Sequence, residues 1–136
     1  MNKIIIAIIL AGFGTQLIKL ILIWFKHKTL NFHDLVVTGG MPSSHSAFVV
    51  SLATIIYLME GPSSTFAVSL VLAFIVIRDA FGVRRTVGEE GKFITKLLHK
   101  VHMKVSTHFS QGHTPLEVFV GCLVGFIISV WVYYLL

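Results

Sequence analysis

Of the seven histidines in this chain, two stand in settings suited to catalysis. His45 closes the run Pro42-Ser43-Ser44-His45, and His113 stands near the start of Gly112-His113-Thr114-Pro115-Leu116-Glu117. Each run leads into an apolar stretch of helical length, so both imidazoles fall where a helix begins. A helix N-terminus presents unpaired backbone N–H groups and the positive end of the macrodipole, and two such starts together make a pocket for phosphate. An imidazole there can shuttle protons or attack phosphorus. The chemistry indicated is phosphoryl transfer at a membrane surface.

The surrounding residues sharpen that reading. Gly39 and Gly40 precede the first run and allow a ligand close to the backbone. Ser43 or Ser44 is placed to cap the following helix. In the second run Thr114 is a natural N-cap, Pro115 suits the first helical position, and Glu117 completes a capping box three residues after the threonine. Glu117 is also four residues from His113. That spacing lets its carboxylate accept a hydrogen bond from one ring nitrogen and fix the tautomer, which leaves the other nitrogen free to attack phosphorus.

The elements that must hold these groups are membrane helices. With 136 residues the chain is a single domain over 1–136, and 55% hydrophobic against 12% charged residues places it outside the soluble range. The expected fold is an all-α integral membrane protein with about four transmembrane helices plus one amphipathic interfacial helix. Residues 3–25, 44–59 and 116–136 are long or apolar enough to span. Residues 65–77 span only if Arg78 snorkels or the helix runs on through Asp79, Ala80 and Phe81. The first stretch reads as a retained span, since its apolar run is too long for a signal peptide and no small-x-small site follows. Gly61-Pro62-Ser63-Ser64 makes a tight hairpin between spans two and three. From 88 to 104 an apolar stripe (Phe93, Ile94, Leu97, Leu98, Val101, Val105) opposes Lys92, Lys96, Lys100 and Lys104, the pattern of a helix lying in the interface.

The net charge of +5 lies mostly on one side of this layout. By the positive-inside rule that side is cytoplasmic, which predicts a multi-pass protein of the cell membrane with both termini outside and the histidine runs facing the cytoplasm. Such a face attracts anionic membrane lipids at about 1 kcal/mol per basic residue. No aromatic-basic interleaving or reader motif accompanies the charge, so nucleic acid is not an expected partner. Cys122 is the single cysteine, which excludes an intrachain disulfide or a thiolate metal site. Gly121 and Gly125 form a G-x-x-x-G that could pack against a partner helix, as in a homo-oligomer, or against a neighbour in the same chain.

Over its last three spans the chain resembles the type-2 phosphatidic acid phosphatase and vanadium haloperoxidase superfamily, in particular its small divergent branch. Pro42-Ser43-Ser44-His45 is similar to that family's P-S-G-H with serine for glycine. Ser106, His113, Pro115 and Glu117 match its S-R-x5-H-x-P-x-D with glutamate for aspartate, and Thr107 stands where the family has arginine. The opening K-x6-R-P survives only as the spacing of Lys19 and Lys26, followed by His27. The resemblance implies a metal-independent phosphoric monoester hydrolase with no cofactor, acting on an isoprenoid or glycerolipid phosphate. In that reading His113 is the nucleophile, Glu117 orients it, and His45 protonates the leaving oxygen. Arg84, Arg85 and Lys19 are candidates to bind phosphate with the backbone around Gly40, Ser43 and Ser44, and Asp79 could hold one arginine in place. Two other classes remain open: a catalytically inactive lipid-binding scaffold, and a metal-dependent lipid phosphotransferase, for which Asp79 lacks a companion aspartate.

Overall fold

The computed structural model describes residues 2–27, 41–103 and 112–136. Among them the chain forms five α-helices and no strand: α1 (Lys3–His27), α2 (Ser44–Glu60), α3 (Ser64–Phe81), α4 (Val83–Lys100) and α5 (Pro115–Leu135). By length and composition α1, α5 and the apolar run that begins at Ser64 are able to cross a membrane, and α2 is a shorter apolar helix of 17 residues. A 17-residue helix reaches about 25 Å, just short of the ~30 Å hydrocarbon core. The third span takes the longer of its two outcomes, continuing through Asp79 and Ala80 to Phe81.

α2 is the central element and packs against α1, α3 and α5, while α1 also lies on α5. The close α2–α5 approach is made by small residues. A Cβ at Gly121 would collide with the Ser43 carbonyl, and one at Gly125 with the Ala47 carbonyl. The G-x-x-x-G therefore packs against a neighbour in the same chain. At the same interface the Ser129 hydroxyl donates to the Ser51 hydroxyl at 2.8 Å, which satisfies two polar groups inside an apolar bundle. Small residues are prominent inside and large ones outside: Ala7, Ala11, Ala47 and Ala53 are buried together with Ile55 and Val132, whereas Phe13, Val68, Phe74 and Tyr134 face outward. This is the arrangement expected where hydrocarbon, not water, surrounds the helices.

Two features re-draw the amphipathic segment expected at 88–104. It begins earlier, at Val83, because the helical path breaks at Gly82, where a Cβ would stand 2.6 Å from the Arg78 carbonyl oxygen. It also ends earlier. His102 adopts φ 56°, and the bonds Met103 N–H to Leu98 C=O and His102 N–H to His99 C=O form a Schellman close. Val101 is thus the C-cap, and Lys104 and Val105 lie outside the described residues. Along α4, Val83, Val87, Ile94 and Leu97 are exposed together, Lys92, Lys96 and Lys100 are exposed on another side, and Gly88 and Gly91 are buried.

Candidate active site

Backbone hydrogen bonds join the two histidine runs at one end of the bundle. The Ser43 N–H donates to the Glu117 carbonyl at 3.1 Å, so the starts of α2 and α5 are fastened side by side. The His113 N–H donates to the Ala80 carbonyl at 3.1 Å, which docks the start of α5 on the end of α3. At the opposite end the Lys3 ammonium donates to the Tyr133 carbonyl at 3.1 Å. α1 therefore runs antiparallel to α5 and brings its C-terminal half, with Lys19, toward the histidines.

His113 is 6% exposed, and its Nδ1 lies 3.3 Å from Glu117 Oε2. A carboxylate only accepts, so this contact places the ring proton on Nδ1 and leaves the Nε2 lone pair available. The same Oε2 accepts from the Thr114 N–H at 3.0 Å, and the Thr114 hydroxyl accepts from the Glu117 N–H at 3.3 Å, completing the capping box. One carboxylate thus caps α5 and orients the imidazole. Burial pushes the His113 pKa below the usual imidazole value, against the hydrogen bond and charge of Glu117, and the charges of Lys19 and Arg84 push the same way as burial. At neutral pH the ring is held in its uncharged form.

His45 is exposed in the first turn of α2, and the titratable groups that act on it are Arg84, His113, Asp79 and Lys19. Lys19 is only 7% exposed although it lies within α1. Arg84 reaches back across the Gly82 break to Asp79, with Nε 2.5 Å from Oδ2. Arg85 goes elsewhere: its Nε donates to Glu89 Oε1 at 3.2 Å along α4, and it is not among the charges acting on either histidine. The structure thus gathers His45, His113, Glu117, Lys19, Arg84 and Asp79 and leaves the Arg85 side chain outside.

Ser43 stands at the N-cap of α2, fully buried, but its side chain makes no capping bond; its Oγ accepts from the Ser46 hydroxyl at 3.0 Å. Ser44 is half-buried at the first position of α2. Gly40 lies outside the described residues, as do Ser106 and Thr107. Among the described residues no group of three or more His, Cys, Asp or Glu side chains is arranged to hold a metal ion.

Three positioning residues were not evident from the sequence. Ala80 contributes only its carbonyl, which no side-chain pattern reveals. Gly82 makes the break that lets Arg84 turn back to Asp79. Gly112, at φ 60°, leaves no room for a Cβ, which would stand 2.6 Å from the Arg85 backbone nitrogen. Its signal was present in the sequence: a lone glycine directly before the motif histidine, where a left-handed residue lets the chain turn against α4.

The model of the divergent PAP2 family matches residues 1–128. The chain belongs to that family. Among curated proteins it is similar to the "Uncharacterized membrane protein YuiD" of Bacillus subtilis (strain 168), at 38% identity over 84% of this chain and 83% of that protein. No solved structure matches the chain significantly. The match spans both histidine runs, α1 to α4 and α5 as far as residue 128, so Lys19 falls within divergent PAP2 sequence along with the histidines.

Proposed function

We propose that this divergent PAP2 protein is a lipid phosphatase that hydrolyses a phosphate monoester through a phosphohistidine. The observation that carries this reading is the His113–Glu117 pair, seated by the Ala80 carbonyl among His45, Lys19 and Arg84. His113 Nε2 attacks phosphorus, so that a P–N bond forms as the P–O bond to the alcohol breaks. His45, as imidazolium, gives its proton to the departing oxygen. The neutral His45 then takes a proton from water, whose oxygen attacks phosphorus and breaks the P–N bond to release phosphate. Lys19, Arg84 and the first-turn N–H groups of α2 supply positive charge to the phosphoryl oxygens through both steps. Phosphoryl transfer needs little more than such positioning and charge.

The basic residues between α1 and α2 and along α4 support, by the positive-inside rule, a reading in which this end of the bundle faces the cytoplasm in the cell membrane and both termini lie outside. The substrate is then an isoprenoid or glycerolipid phosphate of the inner leaflet. The test is release of phosphate from a panel of lipid phosphates by purified protein in the presence of EDTA. Wild type should turn over at least one of them, and His113→Ala should abolish turnover while the protein stays folded. Glu117→Gln should retain part of the cap and lose most activity through the wrong tautomer. Near-normal turnover by His113→Ala would refute the mechanism. Absence of any turnover by wild type would favour a lipid-binding scaffold.

A further inference from the structure

The length of α3 sets the level at which α4 begins. The 18 residues of α3 rise about 27 Å, close to the ~30 Å hydrocarbon core, so the break at Gly82 falls at the membrane boundary. The histidines stand at the same end, since the His113 N–H donates to the Ala80 carbonyl. α4 then leaves the bundle: among the described helices it lies on α3 alone.

At about 100° per residue the side chains of α4 sort into three sides. Val83, Val87, Ile94 and Leu97 share an arc of about 80°, and all four are exposed. Arg84, Gly88, Gly91 and Thr95 form a second side, buried or half-buried. Lys92, Lys96 and Lys100 occupy a third, also exposed, whose middle lies about 145° from that of the apolar arc.

The charge on the helix decides what covers the apolar side. Val83–Lys100 carries five Lys and Arg residues against two Glu, of which Glu89 is engaged by Arg85. A second copy of α4 would bring that positive surplus against itself. A bilayer surface containing anionic phospholipid accepts the apolar side among its acyl chains and attracts the lysines through its headgroups. Because a helix is only about 10 Å across, every ammonium group stays within about one Debye length of those headgroups. Glu90 is the one charge inside the apolar arc, and it opposes such a surface.

The first turn of α4 also belongs to the phosphate site. Arg84 is its second residue and pairs with Asp79 across Gly82, and the backbone of Arg84 and Arg85 lies against Gly112, the residue before His113. A restraint on α4 is therefore a restraint on the Arg84 guanidinium. We propose that α4 docks on anionic phospholipid at the membrane surface and that this docking holds Arg84 at the phosphate site, so that an anionic surface raises turnover. The link to turnover rests on the phosphatase reading above, whereas the docking stands without it.

Docking is measured without catalysis. The full chain, in a Cys122→Ser background with a bimane on Leu97→Cys or on Lys92→Cys, is placed in nanodiscs of equal phosphatidylcholine and phosphatidylglycerol. A quenching nitroxide sits high on the acyl chain of one lipid or the other. The Leu97 probe should be quenched more than the Lys92 probe. For the Leu97 probe, labelled phosphatidylglycerol should quench about twice as well as labelled phosphatidylcholine, and combining Lys92→Gln, Lys96→Gln and Lys100→Gln should bring that ratio to about one. Glu90→Gln should raise it. Equal quenching at the two positions, or no preference for phosphatidylglycerol with the lysines intact, would overturn the proposal. A Leu97 probe shielded from both lipids would overturn it in favour of a protein partner.

Turnover is measured with p-nitrophenyl phosphate, which has no tail to insert. An anionic surface repels this substrate and so acts on KM, which makes kcat the informative constant. That kcat should be about threefold or more higher in discs with phosphatidylglycerol than in phosphatidylcholine alone, and the triple glutamine variant should lose the rise. A kcat indifferent to phosphatidylglycerol would overturn the coupling. Selective quenching without turnover in any disc would sink the phosphatase reading and keep the docking. Turnover without selective quenching would do the reverse.

Discussion

At the residue scale the two arginines next to Gly82 now carry different expectations. Arg84 is held at the site by Asp79, whereas Arg85 is engaged with Glu89 on an exposed side of α4. Arg84→Ala should lower kcat/KM by about 1.5 to 3 kcal/mol, the value of charge-assisted bonds, and lysine should restore only part of it. Arg85→Ala should leave kcat/KM near wild type. Comparable losses in both would mean that the guanidinium of Arg85 leaves Glu89 when substrate binds. The His113 imidazole makes a separate prediction for pH. A nucleophile must be uncharged, and burial with the Lys19 and Arg84 charges lowers its pKa from 6.5, so the acid limb of kcat/KM should lie below pH 6.5. Removing one positive charge favours the imidazolium, so Lys19→Met should move that limb to higher pH. A limb that stays in place in Lys19→Met would disconnect Lys19 from the nucleophile.

At the element scale the α2–α5 seam is where the fold is least forgiving. Gly121→Ala forces the Ser43 backbone away from α5, and with it the Ser43–Glu117 bond that joins the two histidine runs. The expected cost is about 1 to 3 kcal/mol, read as a lower thermal midpoint in detergent, together with a drop in turnover although no catalytic group is altered. Unchanged stability would show that the seam can open without penalty. The helices were legible in the sequence because hydropathy and caps are local: α1, α2, α3 and α5 begin within a residue of where their apolar runs begin, and the Thr114 cap with its glutamate was readable from spacing alone. The ends of α4 were less so. Its start depends on a steric clash at Gly82 and its end on a left-handed histidine, and neither leaves a periodic trace. The site followed the same division. His45, His113 and Glu117 announce themselves by type and spacing, whereas separating Arg84 from Arg85 requires knowing how the chain turns between α3 and α4. The spacing also suggested two competing roles for Glu117, and its geometry serves both with one oxygen.

At the scale of the whole molecule the basic residues predict a direction. In a Cys122→Ser background, Lys92→Cys should resist an impermeant thiol reagent in intact cells, and Pro62→Cys, at the hairpin turn, should react. The opposite pattern would put the site on the outer face and change the leaflet from which substrate comes. The distribution of side-chain size has a consequence for how the chain tolerates change. Alanine, glycine and serine make up much of the inside, with Ile55, Ile56 and Val132 among them, and phenylalanine and leucine coat the outside. A water-soluble protein is damaged most by trimming its interior. Along the α2–α5 seam the sensitive direction is enlargement: a single added methyl at Gly121 or Gly125 strikes backbone, while trimming an outward phenylalanine removes contact only with fluid lipid. Sequence drift in such a chain is therefore free to exchange one bulky apolar residue for another over most of its surface, and is confined to the smallest side chains where α2 and α5 meet.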